Sequence, residues 1–280
     1  MRRQRRRRQR MGMAGPASTA EPAPPARHPL RVLVVAHVFH PEIWPELAEC
    51  IAQIREPRDV CVTLVEGPAG HLREGILDRF PEATVLTVPN RGRDQWPLLD
   101  LIQDARLLEG VDVVLKLHTK ASRHRLDGRR WRRRMLASLS GSRSRVDEIL
   151  ALFGADPMLG IVAPTGGLLG REFWGGNTGL VQDLAARLGV PVDLERTFFP
   201  GGSMYWARTG VLRALGALDL VEQDFPAEPL PSDGTLAHAL ERLVGVVATA
   251  QGLEVIAADE VSARLARIRS TRQPGDDDGR

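Results

Sequence analysis

Val111-Asp-Val-Val-Leu-Lys-Leu-His-Thr-Lys120 is an apolar run that ends in two lysines and a histidine. Such a run is typical of a strand covered on both faces of a parallel sheet. Because side chains alternate along a strand, Lys116 and His118 are expected on one face where the strand ends. Lys116 and Lys120 are the two lysines of the chain, beside 36 arginines. An ammonium is a compact point charge, which favours contact with one phosphate oxygen or a tight pocket; the alternative is two solvated lysines.

Outward from this strand, apolar strands alternate with amphipathic helices. Earlier strands are predicted at 31–36, 60–65 and 84–88, with helices at 45–54, 72–80 and 98–108 between them and the strand at 111–117. Further along, the pattern predicts helices at 127–139, 146–153, 180–188 and 233–243, and strands at 159–164 and 198–206. Regular alternation predicts an α/β domain with a doubly wound, mostly parallel sheet flanked by helices. Ligands bind such sheets at the carboxyl ends of the strands.

Composition divides the 280 residues into a head, a body and a tail. Residues 1–30 carry eight arginines and one acid and then run into Ala, Pro, Ser and Thr, so we expect this head to be disordered. It could touch anionic lipid or RNA, act as a transit peptide, or precede a true start at Met11 or Met13. The body is expected at 31–265 and a polar disordered tail at 266–280.

The charge of the remaining chain argues against a nucleic-acid binder. The whole chain is formally +3, but residues 31–280 hold 30 basic and 34 acidic residues, a net charge of −4. No apolar run approaches the length of a membrane span, so any membrane contact is expected to be peripheral. Cys50 and Cys61 fall in apolar segments and are expected to be buried thiols of a cytoplasmic protein.

Missing motifs exclude several enzyme classes. The chain has no P-loop, no dinucleotide-binding Gly-x-Gly-x-x-Gly after a strand and no Gly-x-Ser-x-Gly elbow. Cysteine and histidine residues do not show zinc spacing. ATPase, dinucleotide oxidoreductase and serine hydrolase are therefore disfavoured.

Polar side chains follow three predicted strands and should meet at one edge of the sheet. An anion such as a diphosphate fits the positive groups there. Asn90-Arg-Gly-Arg-Asp94 is a turn in which Gly92 can take positive φ and Asp94 can cap the next helix. Capping and solvated arginines are the alternative to nucleotide binding. The candidate binding residues are His37, Asn90, Arg91, Asp94, Lys116, His118 and Lys120.

A second cluster, later in the chain, could supply a catalytic base. On the predicted helix, His238, Glu241 and Arg242 stand at i, i+3 and i+4 and share one face. Asp233 or Ser232 is available as the N-cap of this helix. A salt-bridged surface helix is the alternative to a carboxylate or imidazole that removes a hydroxyl proton. The candidate catalytic residues are Asp233, Glu228, His238, Glu241 and Arg242.

Five motifs together resemble the rhamnan synthesis protein F family over about residues 30 to 260. They are Ala36-His-Val-Phe-His-Pro-Glu42, Pro89-Asn-Arg-Gly-Arg-Asp94, Leu115-Lys-Leu-His-Thr-Lys120, Phe199-Pro-Gly-Gly-Ser-Met-Tyr-Trp206 and Asp233-Gly-Thr-Leu-Ala-His-Ala-Leu-Glu-Arg242. The resemblance implies a single GT-A-like (Rossmann-like) domain. It also implies a glycosyltransferase that uses a nucleotide-sugar donor, with dTDP-rhamnose expected, and a glycan or lipid-linked glycan acceptor of a cell-surface polysaccharide.

Comparison with the GT-A pattern assigns roles to the two clusters. Lys116, His118 and Lys120 stand where such enzymes carry metal-binding aspartates, so positive side chains rather than a divalent cation are expected to neutralise the leaving diphosphate. The same analogy makes Asp233 the first choice, and Glu228 the second, for the base that deprotonates the acceptor hydroxyl. His238, Glu241 and Arg242 are expected to support this base. The alternative is a non-catalytic carbohydrate-binding or assembly protein that keeps the fold.

Overall fold

The computed structural model describes residues 29–67, 69–119 and 127–272. In these residues the strands are β1 Val32–Val38, β2 Arg58–Val65, β3 Thr84–Val88, β4 Val113–His118, β5 Leu159–Ala163, β6 Leu168–Leu169, β7 Phe199–Pro200, β8 Tyr205–Arg208 and β9 Glu254–Ala257. The helices are α1 Trp44–Ile51, α2 Arg73–Arg79, α3 Gln95–Gln103, α4 Gly128–Ser140, α5 Arg143–Ala155, α6 Thr178–Leu188, α7 Thr209–Leu215, α8 Leu236–Ala250 and α9 Val261–Arg272.

Seven strands form the main sheet in the order β3-β2-β1-β4-β8-β5-β9. Neighbouring strands are parallel except that β8 runs antiparallel to both β4 and β5. The strands β6 and β7 pair in a separate antiparallel ribbon. The prediction of an α/β domain with a mostly parallel sheet flanked by helices is confirmed.

Each face of the sheet is covered by its own hydrophobic core, which explains why β1 and β4 are buried along their whole length. Side chains of β1 alternate between the cores: Val32 and Val34 pack with α1, α4, α5 and α9, whereas Leu33 and Val35 pack with α3, α6, α7 and α8. Val114 belongs to the second core, and Lys116 and His118 follow it at the two-residue period of a strand.

The register brings the ends of the central strands together. His37 pairs with Thr63 of β2 on one side and with His118 of β4 on the other. Asn90 follows β3 directly at the same edge of the sheet. The predicted convergence of the strand ends is therefore present in the structure.

Two expectations about the later half are corrected by the structure. The segment 198–206, expected as a strand entered through flexible glycines, forms two strands, β7 and β8, because Gly202 and Ser203 take φ of +84° and +58° and turn the chain. The tail expected at 266–280 is helical as far as Arg272, since Leu265 is buried and Ile268 packs against the first core. Of the disordered head expected at 1–30, residues 1–28 lie outside the described part of the chain, and Leu30 is buried in the first core.

Gly245 allows α8 to lie against β7, and its replacement provides a test of this packing. A Cβ at Gly245 would lie 2.1 Å from the carbonyl oxygen of Phe198, whereas a Cβ at Gly154, inside α5, would meet nothing within 4 Å. Alanine favours a helix by about 0.5–1 kcal/mol over glycine, but overpacking costs about 1–3 kcal/mol. We expect Gly245→Ala to lower the free energy of unfolding in urea and Gly154→Ala to raise it. Changes of the same sign in both variants would contradict the packing described.

Candidate functional site

An open cleft of about 1240 Å³ lies at the carboxyl ends of β1, β3 and β4. It brings together most of the residues predicted from the two clusters. From the first cluster it is lined by His37, Asn90, Asp94 and His118, and from the second by Glu228, Asp233, His238, Glu241 and Arg242. Lys116 and Arg91 do not line it, and Lys120 lies outside the described residues.

Lys116 is buried and does not line the cleft. Its predicted contact with a diphosphate stays a prediction, and its surroundings disfavour it. Its side chain is 1% exposed, and its Nζ contacts Asp94 Oδ2 and Ser203 Oγ and donates to the Ser203 carbonyl at 3.0 Å. Nζ also lies 5.6 Å from the centre of the Tyr205 ring. Of the two settings that favour an ammonium, the tight pocket is the one found.

Asp94 binds Lys116 instead of capping α3. It occupies the N-cap position without a side-chain capping bond, and it also accepts from Gln95 Nε2 at 2.8 Å. The predicted cap is therefore wrong, because the carboxylate turns inward to the buried ammonium. Asp94 is among the residues that line the cleft but is only 9% exposed. These contacts fit a role for Asp94 in positioning other residues of the site better than a role in binding a nucleotide.

His118 connects this ion pair to the floor of the cleft. Its Nε2 donates to the Gly202 carbonyl at 2.8 Å, and its Nδ1 lies 3.9 Å from Asp94 Oδ1. Gly202 N in turn donates to Glu241 Oε1 at 2.7 Å. A chain of polar contacts therefore runs from α8 through the 202–203 turn to β4.

His37 reaches the cleft as a neutral imidazole. Burial is the main cause that lowers its pKa from 6.5 to about 3; Asp94 opposes this shift, and His118 and Lys116 add to it. Its Nδ1 lies 2.9 Å from Thr63 Oγ1. At neutral pH, His37 can offer a hydrogen bond to a ligand but no positive charge.

Arg93 takes the place in the cleft that the sequence had suggested for Arg91. Arg91 does not line the cleft: it donates to the Phe225 carbonyl at 2.8 Å and lies 3.5 Å from Glu222, and its role in binding a nucleotide stays a prediction. Gly92 and Arg93 take φ of +61° and +57°, which turns Arg93 toward the cleft. There its guanidinium donates to His238 Nε2 at 2.9 Å and to the Pro231 carbonyl at 3.0 Å.

The two candidate bases are exposed to the cleft in different surroundings. Asp233 accepts from Asn177 Nδ2 at 2.6 Å and from Gly176 N at 3.0 Å. The bond from Asn177 is the main cause that lowers the pKa of Asp233. Glu228 accepts from Leu230 N at 2.8 Å and lies 3.7 Å from Arg93. The expectation that Asp233 or Ser232 caps α8 is wrong, since Thr235 occupies that position.

The three residues expected to support the base act in different ways. Arg242 comes within 3.9 Å of Asp233 and donates to the carbonyls of His238 and Phe173 at 2.9 Å. Glu241 holds Gly202, and His238 accepts from Arg93, with its Nδ1 2.8 Å from Thr235 Oγ1. Direct support of Asp233 therefore comes from Arg242 and not from the other two.

Sequence reasoning missed the contribution of α4 to the cleft. Trp131 and Arg134 both line it, and Arg134 forms no ion pair within residues 29–67, 69–119 and 127–272. The available signal was the run of arginines without an acid in this helix. The sequence predicts a helix at 127–139, but nothing in it gives the distance of that helix from β4.

The described residues contain neither a candidate metal site nor a candidate membrane span. No group of three or more histidine, cysteine, aspartate or glutamate side chains in that part of the chain is arranged to hold a metal ion. No helix there combines the length and apolar character required to span a membrane.

Comparison with known proteins gives a family match and two close relatives. The model of the family described as rhamnan synthesis protein F matches residues 16–253. The uncharacterized protein WxcX from two strains of Xanthomonas campestris pv. campestris, B100 and ATCC 33913, is 38% identical over 229 residues, which are 81% of this chain and 32% of WxcX. The chain thus spans about a third of the length of these curated relatives.

Among solved structures, the chain is similar to glucosyl-3-phosphoglycerate synthase from Mycobacterium tuberculosis, determined with Mn²⁺, UDP and glucosyl-3-phosphoglycerate. The identity is 11% and the TM-score is 0.40, over 89% of this chain and 82% of the synthase chain.

The buried pair of Lys116 and Asp94 should show strong coupling in a double-mutant cycle. Removing one partner leaves a buried charge, at a cost of about 3–5 kcal/mol, whereas replacing both with apolar groups is often close to neutral. We expect Lys116→Met and Asp94→Leu each to lower the free energy of unfolding, and the double variant to be more stable than either. Additive losses would show that the two side chains do not depend on each other.

The lowered pKa of His37 predicts a loss of stability in acid. As the pH falls, the unfolded state takes up this proton near pH 6.5, whereas the folded state takes it up only at about pH 3. The contribution of neutral His37 to the free energy of unfolding is therefore complete above pH 6.5 and is lost as the pH falls from 6.5 to about 3. Between about pH 8 and pH 5, His37 should account for roughly 2 kcal/mol of lost stability. His37→Gln should therefore lose less than wild type in urea titrations at the two pH values. Equal losses would contradict the buried neutral imidazole.

Proposed function

Because this chain belongs to the rhamnan synthesis protein F family, we propose that it is a glycosyltransferase that moves a sugar from a nucleoside-diphosphate donor to a growing glycan. The family description, rhamnan synthesis, supports rhamnose or a related deoxyhexose as the sugar. We propose dTDP-rhamnose as the donor. The proposed acceptor is a cell-surface polysaccharide, free or linked to lipid. Since the chain spans about a third of its curated relatives, the proposal concerns the reaction that this cleft supports.

The observation that carries the proposal is a single cleft lined by both cations and carboxylates. Arg93 and Arg134 supply positive charge, and Glu228 and Asp233 supply negative charge. A leaving diphosphate requires the first kind of group, and deprotonation of a hydroxyl requires the second. A protein that only binds glycan has no leaving diphosphate to neutralise and no hydroxyl to deprotonate.

On the donor side, guanidinium groups replace the ammonium groups that the sequence had suggested. Arg134 is exposed, and Arg93 keeps part of its side chain exposed at the cleft. Guanidinium presents five N–H donors in a fixed fork, which matches phosphate oxygens. His118 and Asn90 line the same cleft, and Asn90 can contact the nucleoside. We propose that these side chains hold the diphosphate and stabilise the negative charge that develops as it leaves.

On the acceptor side, we keep Asp233 as the first candidate base and Glu228 as the second. Asp233 is ionised at neutral pH because its pKa lies below the ordinary aspartate value, and its contacts with Asn177 and Gly176 fix its orientation. In the proposed step, the acceptor oxygen bonds to the anomeric carbon while the bond from that carbon to the diphosphate breaks. The carboxylate accepts the hydroxyl proton.

An assay of nucleoside-diphosphate release tests the proposal. The purified protein should release the nucleoside diphosphate from dTDP-rhamnose or another deoxyhexose donor, faster when a glycan acceptor is present. Addition of a chelator should leave the rate unchanged if arginines rather than a divalent cation neutralise the diphosphate. Binding of nucleotide sugars without any release would instead favour the non-catalytic assembly protein.

Substitution of Asp233 should separate catalysis from donor binding. We expect Asp233→Asn to lower kcat by roughly 10²–10⁴-fold, the usual contribution of a general base, with little change in nucleotide affinity. Asp219→Asn, at an exposed aspartate outside the cleft, is the matched control and should behave as wild type. If Asp233→Asn retains full kcat and Glu228→Gln loses it, the base is Glu228.

A further inference from the structure

The outer face of α4 carries a group of exposed arginines: Arg129, Arg130, Arg133 and Arg134. At 100° per residue these four positions cover an arc of about 140° of the helix surface. The helix contains no acidic residue. The four side chains therefore form one continuous basic face, which we call the α4 arginine face.

The inner face of α4 fixes this orientation. Met135, Leu136 and Leu139 are buried in the first core, and Arg132 is 5% exposed. The Arg132 guanidinium forms two bonds with the carboxylate of Glu46, at 3.0 and 3.1 Å. Because α4 is anchored by both apolar packing and an ion pair, the α4 arginine face cannot rotate inward to find partners.

The charge of the α4 arginine face is largely unbalanced. Within the described residues, Arg129, Arg130 and Arg134 form no ion pair, and Arg133 shares Glu46 with Arg132 at 3.4 Å. Residues 31–280 as a whole have more acids than bases. The concentration of positive charge on this helix is therefore a local feature and not a consequence of a basic protein.

The α4 arginine face adjoins the mouth of the cleft. Asp127 lines both the cleft and a surface depression of about 470 Å³ formed with Arg129, Arg130 and Arg133. Trp131 and Arg134, from the same helix, line the cleft itself. A surface that binds this face would therefore lie beside the cleft opening.

We propose that the α4 arginine face docks the protein on an anionic lipid bilayer and holds the cleft mouth at the membrane surface. Clusters of arginine near a membrane gain affinity from the negative surface potential of anionic lipids. RNA is a poorer match, because the four side chains include no aromatic ring on which a base could stack. The docking would bring a lipid-linked acceptor to the cleft; this part rests on the proposed function, whereas the binding to lipid does not.

Flotation with lipid vesicles tests the docking on the full chain. Vesicles of phosphatidylcholine alone are compared with vesicles of phosphatidylcholine and phosphatidylglycerol in equal parts, without nucleotide or acceptor. The test variant is Arg129→Gln/Arg130→Gln/Arg133→Gln, which leaves the proposed donor-binding residues intact. The matched control is Arg55→Gln/Arg196→Gln/Arg269→Gln, which removes the same charge from exposed positions on other elements.

We expect wild type and control to bind the anionic vesicles with the same affinity. The test variant should bind on the order of 100-fold more weakly, because each of the three arginines removed contributes roughly fivefold in affinity. Equal binding by all three proteins would overturn the proposal, because binding would then depend on other parts of the chain, such as the basic head. Equal loss in both variants would overturn it as well, since it would show a response to net charge alone. Loss of affinity for a short RNA, with vesicle binding unchanged, would assign the face to nucleic acid.

Donor turnover in solution separates this proposal from the proposed function. The test variant should release nucleoside diphosphate at the wild-type rate when the acceptor is water-soluble. If no protein shows turnover but vesicle binding follows the expected pattern, the proposed function fails and the docking stands.

Discussion

The buried ion pair between Lys116 and Asp94 is the constraint on which the site depends. It joins the end of β4, the turn before α3 and the turn at Ser203, three segments that are distant in the sequence. A lysine suits this place because its ammonium has three N–H donors, and it meets three oxygens from Asp94 and Ser203. A planar guanidinium would require more room. The pair thereby holds the turn that directs Arg93 into the cleft, and it lies beside His118.

The sequence predicted the sheet better than the site. The apolar run before Lys116 indicated a central strand, and the register of β1 with β4 confirms that its polar end meets His37. The sequence also placed a lysine ammonium, Lys116, at this strand end. It could not indicate the partner of the ammonium, because a phosphate and an internal carboxylate are both anions that a lysine can bind. The answer depends on Asp94, whose carboxylate turns inward at the start of α3.

The sequence also could not show that Arg93, and not Arg91, lines the cleft. Alternation along a strand can be read from sequence, but positive φ at Gly92 and Arg93 changes which side chain faces the cleft. Asp233 shows a related effect: its chemistry fitted a helix cap, but its carboxylate bonds with Asn177 and Gly176, 56 and 57 residues earlier. Local backbone conformation decided the first case and long-range polar contacts decided the second. Hydrophobic periodicity carries no information about either.

In the resulting account, buried charges position the site and exposed charges perform its chemistry. The most direct measurement is a crystal structure of the protein with bound thymidine diphosphate. The account predicts the diphosphate in the cleft, in contact with Arg93 or Arg134, with the Lys116 ammonium still on Asp94. A diphosphate bound outside the cleft, or a Lys116 that has left Asp94 to bind phosphate, would contradict it.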